Sequence, residues 1–262
     1  MTLWLDAAWG VLRRDAIVYF SYRTQWLSQL FGVMFGVVLF HYIARFVHPS
    51  TIDYFSFVVI GLVIVQSLVS TLGAIPGALR QEMVAGTLER FLLSRFGAPA
   101  GILAMIAFPT MLSLVTGALM LAFATVAFGM HLAATAPLAI PVALLGVLAF
   151  VPVTLLLAAP VIVVKQATFA VQFVLAGIAV IGGLYFPVSL LPGWVRWASD
   201  VQPFTPATDA MRHLLVGSHA QHSMAVDLVK LAGFAIVLFP VAMWTLRRTL
   251  VYAQRRGTVI EY

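Results

Sequence analysis

The sequence predicts an all-α integral membrane protein with six transmembrane helices in a single domain, residues 1–262. Hydrophobic residues make up 62% of the chain and charged residues only 9%, whereas soluble domains contain roughly 45–50% and about 25%. The mean hydropathy is +1.04. Uncharged apolar stretches recur, each near the roughly 20 residues that cross a bilayer core about 30 Å thick. We therefore expect a six-helix bundle over residues 25–262, preceded by an interfacial helix over residues 1–24.

Six uncharged stretches define the predicted spans. They cover residues 26–44, 54–79, 102–128, 138–164, 168–186 and 231–246. The third and fourth exceed the length that a perpendicular helix needs, so tilt or kinks are expected. Pro141, Pro152 and Pro160 are the expected break points in the fourth, because proline removes a helical hydrogen bond.

The distribution of lysine and arginine predicts the orientation. Eleven of the fifteen basic residues lie on the side of the amino terminus, and four lie on the other side: Arg45, Arg196, Arg212 and Lys230. Because cytoplasmic loops carry the excess of basic residues, both termini and the loop after the second span are expected in the cytoplasm of a cell-membrane protein. The net charge of +6 then belongs to the membrane flanks and does not indicate a nucleic-acid partner.

The amino-terminal segment predicts an amphipathic helix that ends near Tyr22. Apolar side chains recur every three or four residues from Leu5 to Tyr19, and Asp6 and Arg13 lie on the opposite side. A simple membrane anchor and a functional gate both fit this pattern. The charges interrupt any apolar core, so no cleaved signal peptide is expected.

The loop "RQEMVAGTLERFLLSR" at residues 80–95 predicts a short two-faced helix on the cytoplasmic side. At helical spacing its apolar side chains share one face, and its polar face gathers Glu82, Gly86, Glu89 and Arg90. A helix that merely lies on the membrane surface would show the same pattern.

Small and polar residues inside the spans are further candidates. Gly32 and Gly36 form a GxxxG step, which permits close helix packing either within one chain or between two copies. Gln66, Ser70 and Gln172 are costly against lipid, so they are expected to face a polar path or to bond between helices.

The segment at residues 187–202 is too short and too interrupted to span the membrane. Its tryptophans favour the headgroup zone, which predicts a re-entrant or interfacial element on the outer side. An ordinary aromatic belt is the alternative. This segment is a candidate cap over an exit.

No motif indicates chemistry in this polypeptide. Neither Lys165 nor Lys230 is followed by the Ser or Thr of a phosphate-binding loop, and no zinc-protease motif or intramembrane acid pair is present. The centres of the predicted spans carry no Asp, Glu, Lys or Arg, unlike most ion-coupled carriers. We therefore expect no catalytic residue, no metal site and no cofactor.

Two segments resemble the type-2 ABC exporter permeases. Glu82 followed by "GTLE" at residues 86–89 and then "LLS" is similar to that family's loop after the second span. "GGLYFPVSLLPGWVRWASDVQPFTPATDAMRHLLVG" at residues 182–217 is similar to its loop after the fifth. With the six predicted spans, the resemblance covers almost the whole chain. The leader "LRQEM" is less charged than is usual there.

The resemblance implies roles for specific residues. It implies a coupling helix that docks on an ATPase, an entrance beside the amino-terminal helix, and a seam between two permease copies. In this sequence the corresponding residues are, for coupling, Glu82, Gly86, Thr87, Leu88, Glu89 and Arg90; for the entrance, Tyr19, Tyr22, Arg23 and Trp26; and for the seam, Gly32 and Gly36. The polarity of Gln66, Ser70 and Gln172 adds these residues as path candidates, and the aromatic pattern adds the candidate exit residues Phe186, Pro187, Pro192, Gly193 and Trp194.

The function so implied is that of the membrane subunit of an ATP-driven exporter. Its partners would be a second permease copy, two cytoplasmic ATPase subunits that hold ATP and magnesium, and the lipid bilayer. Low polarity along the spans favours an amphiphilic drug-like or lipid-like substrate, and a lipid-linked polysaccharide is an alternative within the family. A secondary carrier or a membrane scaffold is the alternative from another class.

Overall fold

The structure, a computed structural model, describes residues 2–46, 53–84, 98–163, 167–218 and 223–256. Within these ranges the chain is helical, and no strand occurs among the described residues. The helices are α1 (Thr2–Ser21), α2 (Arg23–Phe46), α3 (Tyr54–Val84), α4 (Ala98–Phe128), α5 (Ala139–Val163), α6 (Ala167–Ile181), α7 (Gly193–Asp200), α8 (Phe204–Val216) and α9 (Met224–Arg256).

The predicted all-α membrane architecture is confirmed, with a difference in the number of spans. Among the described residues, five helices are long and apolar enough to cross a membrane: α2, α3, α4, α5 and α9. The predicted fifth span corresponds to α6, whose 15 residues extend about 22 Å at 1.5 Å per residue, less than a bilayer core. It ends at Ile181, before the predicted end at residue 186, because the chain turns at Gly182 and Gly183, the latter with φ +84°.

Two further details extend the expectation. The predicted sixth span, 231–246, lies within the 33-residue α9, which continues through Asp227 and Lys230 at one end and Arg247 at the other. Charged residues end an apolar stretch but do not end a helix. Two of the expected break points in the fourth span, Pro152 and Pro160, lie inside the continuous helix α5.

The buried core lies along α3 and α5. Val58, Val59 and Ile60 of α3 are fully buried, as are Leu155 and Thr154 of α5. The Thr154 hydroxyl lies 3.2 Å from the carbonyl oxygen of Thr71 on α3 and shares its one hydrogen between that acceptor and the Phe150 carbonyl of its own helix at 3.1 Å. Around this pair, α4 packs against α3, α9 against α5, and α1 against α4.

Helix α8 is the most enclosed part of the described chain. Eleven of its thirteen residues are buried, and it packs against α3, α5 and α9. The loop between α4 and α5 fixes its far end, where the Thr135 hydroxyl donates to the Leu214 carbonyl at 2.7 Å and the Ala133 amide donates to the Leu215 carbonyl at 2.7 Å. The sequence resemblance placed a helix carrying Asp209 and Arg212 after a proline-rich turn, and a helix is present there, but its burial was not anticipated.

Candidate functional site

The junction of α1 and α2 brings together the candidate entrance residues. The Tyr19 hydroxyl donates to Gln29 Oε1 at 2.9 Å, and its ring meets Phe108 of α4 edge-on at 5.5 Å between centroids. Partial burial raises the pKa of Tyr19, so this phenol stays protonated at neutral pH. A single non-helical residue, Tyr22, separates α1 from α2, and its side chain is exposed.

Trp26 adds an unsatisfied donor to this junction. Its indole Nε1 is buried and has no hydrogen-bond partner among the described residues. Arg23, at the first position of α2, is exposed. The junction therefore combines aromatic surface, one free N–H group and a cation, a combination that suits an amphiphile better than a purely apolar molecule.

Two of the candidate path residues bond to each other. The Gln66 side-chain amide lies 3.5 Å from the Ser70 hydroxyl, one helical turn further along α3, and both side chains are partly buried. The neighbouring Ser67 hydroxyl donates to its own helix at the Val63 carbonyl. Gln172 lies in α6, and its side chain is outside the described part of the chain.

The face of α2 that carries the two seam glycines is uncovered. A Cβ atom built on Gly32 or Gly36 meets nothing within 4 Å. Beside them, Phe31 is 75% exposed and Phe35 is 58% exposed, whereas Val37 on the other side of the helix is fully buried. The two glycines thus do not pack against any described part of their own chain.

The coupling residues lie mostly beyond the described ranges. Glu82 lies in the last turn of α3, and its side chain is not described. Gly86, Thr87, Leu88, Glu89 and Arg90 fall in residues 85–97, outside the described residues. Their role remains the one that the resemblance implies.

The candidate exit segment folds as a glycine turn, a 3-10 turn and the short helix α7. After the glycine turn, Leu184 is buried, Phe186 and Pro187 are half-buried, and a 3-10 turn at Val188–Leu190 leads to α7. Pro192 precedes α7 and Gly193 opens it, while Trp194 projects outward with 78% exposure. Gly182 is required at its position, since a Cβ there would lie 2.1 Å from the Phe204 ring.

Sequence reasoning missed the residue that anchors this segment, Arg212 of α8. Its guanidinium donates to the carbonyl of Phe57 on α3 at 3.1 Å and to the carbonyls of Gly183 and Leu184 at 2.9 and 3.3 Å. Its Cζ lies 3.4 Å from the centroid of the Phe57 ring. We call this set of contacts the Arg212 clamp.

The Arg212 guanidinium keeps its positive charge although it is buried. Arg212 is only 4% exposed; desolvation lowers the pKa of Arg212 to about 10, and Asp209 one turn earlier acts in the opposite direction. The guanidinium is therefore protonated at neutral pH. A signal for it was present in the sequence, because Ala207, Met211 and Leu214 repeat at helical spacing around this arginine.

These features define a polytopic helical membrane protein with an uncovered helix face on α2 and a clamp that joins α8 to α3 and the glycine turn. The model of the ABC-2 type transporter family matches residues 7–216, and the chain therefore belongs to that family. Its membrane domain is a permease component of an ABC transporter and not the ATPase, and family members generally work with ATPase partners. No curated protein matches the chain.

Proposed function

We propose that this chain is the membrane half of an ATP-driven exporter. Two copies form a homodimer, two separate cytoplasmic ATPase subunits bind ATP and magnesium, and the substrate is an amphiphilic drug-like or lipid-like molecule taken from the cytoplasm or the inner leaflet. The observation that carries the proposal is the uncovered glycine face of α2 in a chain of this family.

That face supports pairing with a second copy. Helix association in lipid depends on close backbone approach and van der Waals packing, which small residues permit. Gly32 and Gly36 leave a shallow groove, and the exposed rings of Phe31 and Phe35 flank it. A second α2 helix would fill the groove with those rings. The transport path then lies between the two copies.

Cysteine cross-linking tests the pairing in this cysteine-free chain. We expect Phe35→Cys to form intermolecular disulfides in native membranes. Val37→Cys is the matched control because its side chain is fully buried in its own protomer, so it should not cross-link. Gly32→Leu combined with Gly36→Leu should abolish the Phe35→Cys product. Equal cross-linking at positions 35 and 37 would contradict the seam assignment.

The entrance residues support an amphiphilic cargo. Tyr19 and Trp26 contribute aromatic rings, the Tyr19 hydroxyl is held by Gln29, and the exposed Arg23 places a positive charge beside them. Under the predicted orientation they lie at the cytoplasmic leaflet. An amphiphile places its tail on the rings and an anionic or polar group near the arginine.

Docking to the ATPase is tested by the loop after α3. Reversing both Glu82 and Glu89 to Lys, or replacing Gly86 by Trp, should remove the co-purifying ATPase while the permease still inserts, since removal of buried charge pairs costs about 2–5 kcal/mol. Glu261→Lys near the carboxyl terminus is the matched charge-reversal control. If both loop variants still co-purified with a full amount of ATPase, the docking assignment would be contradicted.

Reconstituted vesicles separate the proposal from its alternatives. With the ATPase present, a fluorescent phospholipid analogue or a cationic dye should cross only when ATP is supplied. A secondary carrier would move substrate along an ion gradient without the ATPase, and a scaffold would move nothing. A requirement for a polysaccharide-linked lipid would favour the other substrate class.

A further inference from the structure

A cavity inside the protomer lies apart from the proposed transport path between two copies. It encloses about 360 Å³ between α3, α4, α5 and α8, within the roughly 300–1,000 Å³ of typical ligand pockets. Val63 of α3 forms its back wall, and Met211 and Leu215 of α8 line it as well. Neither α2 nor α6 contributes, so the cavity is separate from the seam and from the candidate entrance.

The cavity opens sideways between α4 and α5. These consecutive helices hardly touch each other, since each packs instead on α3. Two of the lining residues, Val115 of α4 and Ile140 of α5, are also largely exposed on the outer surface of the bundle. The opening therefore faces whatever medium surrounds the bundle at this level.

That medium is the hydrocarbon of the bilayer. The lining residues of α3 and α4 lie in the central parts of the candidate spans Tyr54–Ala74 and Ala104–Phe128, and those before and in α5 lie in the first fifteen residues of Ala136–Pro160. From Ala139 to Phe150 the α5 wall extends about 16 Å at 1.5 Å per residue, close to half of a hydrocarbon core about 30 Å thick. The cavity matches the depth of one leaflet.

The chemistry of the lining excludes a charged or strongly polar occupant. No charged residue lines the cavity, and its two hydroxyl groups, on Ser67 and Ser113, already donate to the carbonyls of Val63 and Thr110 on their own helices. Water would find few partners there, because a buried water needs about three hydrogen bonds. A saturated chain needs none.

We propose that this cavity is a resident lipid site that takes one acyl chain of a bilayer phospholipid. The headgroup lies at the end of the bundle that holds Ala136 and Leu215, where the α4–α5 loop meets α8. The chain packs against Met211 on the same helix that carries the Arg212 clamp, so the lipid supports the position of α8. The cargo path and the coupling helix play no part in this proposal.

Retention of lipid by the purified protein tests the site. We expect about one phospholipid per protomer, by phosphorus assay and mass spectrometry, after detergent washing has removed bulk lipid. Ala143→Phe on the α5 wall and Ser67→Leu on the α3 wall each fill the cavity and should reduce retention at least tenfold. Ala127→Phe on the exposed face of α4 is the matched control and should change nothing.

Photolabelling locates the chain. Washed protein that retains a phospholipid with a diazirine in its acyl chain should be labelled at cavity residues such as Val115, and not at Val126, which lies on the same helix with 89% exposure. Equal labelling at both positions, unchanged retention in both filling variants, or a washed wild-type protein that holds free fatty acid or no lipid would each overturn the proposal. Normal gel-filtration profiles for the variants exclude misfolding as the cause.

Discussion

Replacement of Arg212 by methionine should strongly destabilise the protein, because it removes the clamp that joins α8 to α3 and the glycine turn. Methionine has a similar length and keeps the apolar packing, but it donates no hydrogen bond. Three carbonyl oxygens, those of Phe57, Gly183 and Leu184, then lose their charged donor in a buried place. Asp209 also loses the positive charge that offsets its own.

The magnitude follows from these contacts. A hydrogen bond to a charged group contributes about 1.5–3 kcal/mol, and an acceptor left unsatisfied in the interior costs about 1–3 kcal/mol. The Phe57 carbonyl lies in helix α3, so the full loss falls on Gly183 and Leu184 in the turn. Two such losses sum to several kcal/mol, and removing one partner of a buried charge network usually costs about 3–5 kcal/mol.

Thermal unfolding in detergent measures this effect against a matched control. At about 2–4 °C per kcal/mol for a chain of this size, Arg212→Met should lower the melting temperature by roughly 6–20 °C. Arg196→Met removes an arginine that also donates to two carbonyls, those of Ser189 and Leu191, but at an exposed site. Solvent replaces those bonds, so the expected shift is within about 2 °C. Similar shifts in the two variants would refute the clamp.

Three further outcomes are expected. Gly182→Ala should lower the melting temperature measurably, since its new Cβ would overlap a phenylalanine ring, whereas Gly193→Ala, which meets nothing within 4 Å, should leave it unchanged. Thr154→Val should cost about 1 kcal/mol of unfolding free energy in the same assay, through one lost inter-helix hydrogen bond. In intact cells, an impermeant thiol reagent should label Ser218→Cys and not Ser94→Cys, and the reverse pattern would invert the predicted orientation.

The spans were largely predictable from the sequence because a bilayer imposes a simple length and polarity requirement. A helix in hydrocarbon satisfies its own backbone, so an apolar stretch of sufficient length defines it. The ends of α9 were not predictable in this way. Asp227 and Lys230 precede the apolar stretch and Arg247 follows it, yet all three remain helical because backbone hydrogen bonding continues beyond the hydrocarbon.

The anchoring of α8 could not be predicted from local pattern. The resemblance placed Asp209 and Arg212 on a helix after a proline-rich turn, but Arg212 was counted among the outer charges. The burial of α8 depends on carbonyl groups of α3 and of the glycine turn, 155 and 28–29 residues away along the chain. Only the tertiary structure supplies these acceptors and makes a buried cation stable.

The contacts of α7 and α8 differ enough to indicate which of these two helices moves first. An ion pair joins α7 to α9, with Lys230 Nζ 2.9 Å from Asp200 Oδ1. The Asp200 side chain is 55% exposed, so this ion pair contributes at most about 1 kcal/mol. The clamp on α8 contributes several times as much. We therefore expect any opening on this side of the bundle to move α7 and its exposed Trp194 and to leave α8 in place against α3.

Cross-linking α8 to α3 through cysteines at Phe57 and Arg212 would remove the clamp itself, whereas a link between α7 and α9 at Asp200 and Lys230 replaces only the weak pair. The second link should block transport while stability rises, and uninhibited transport in that variant would show that α7 does not move.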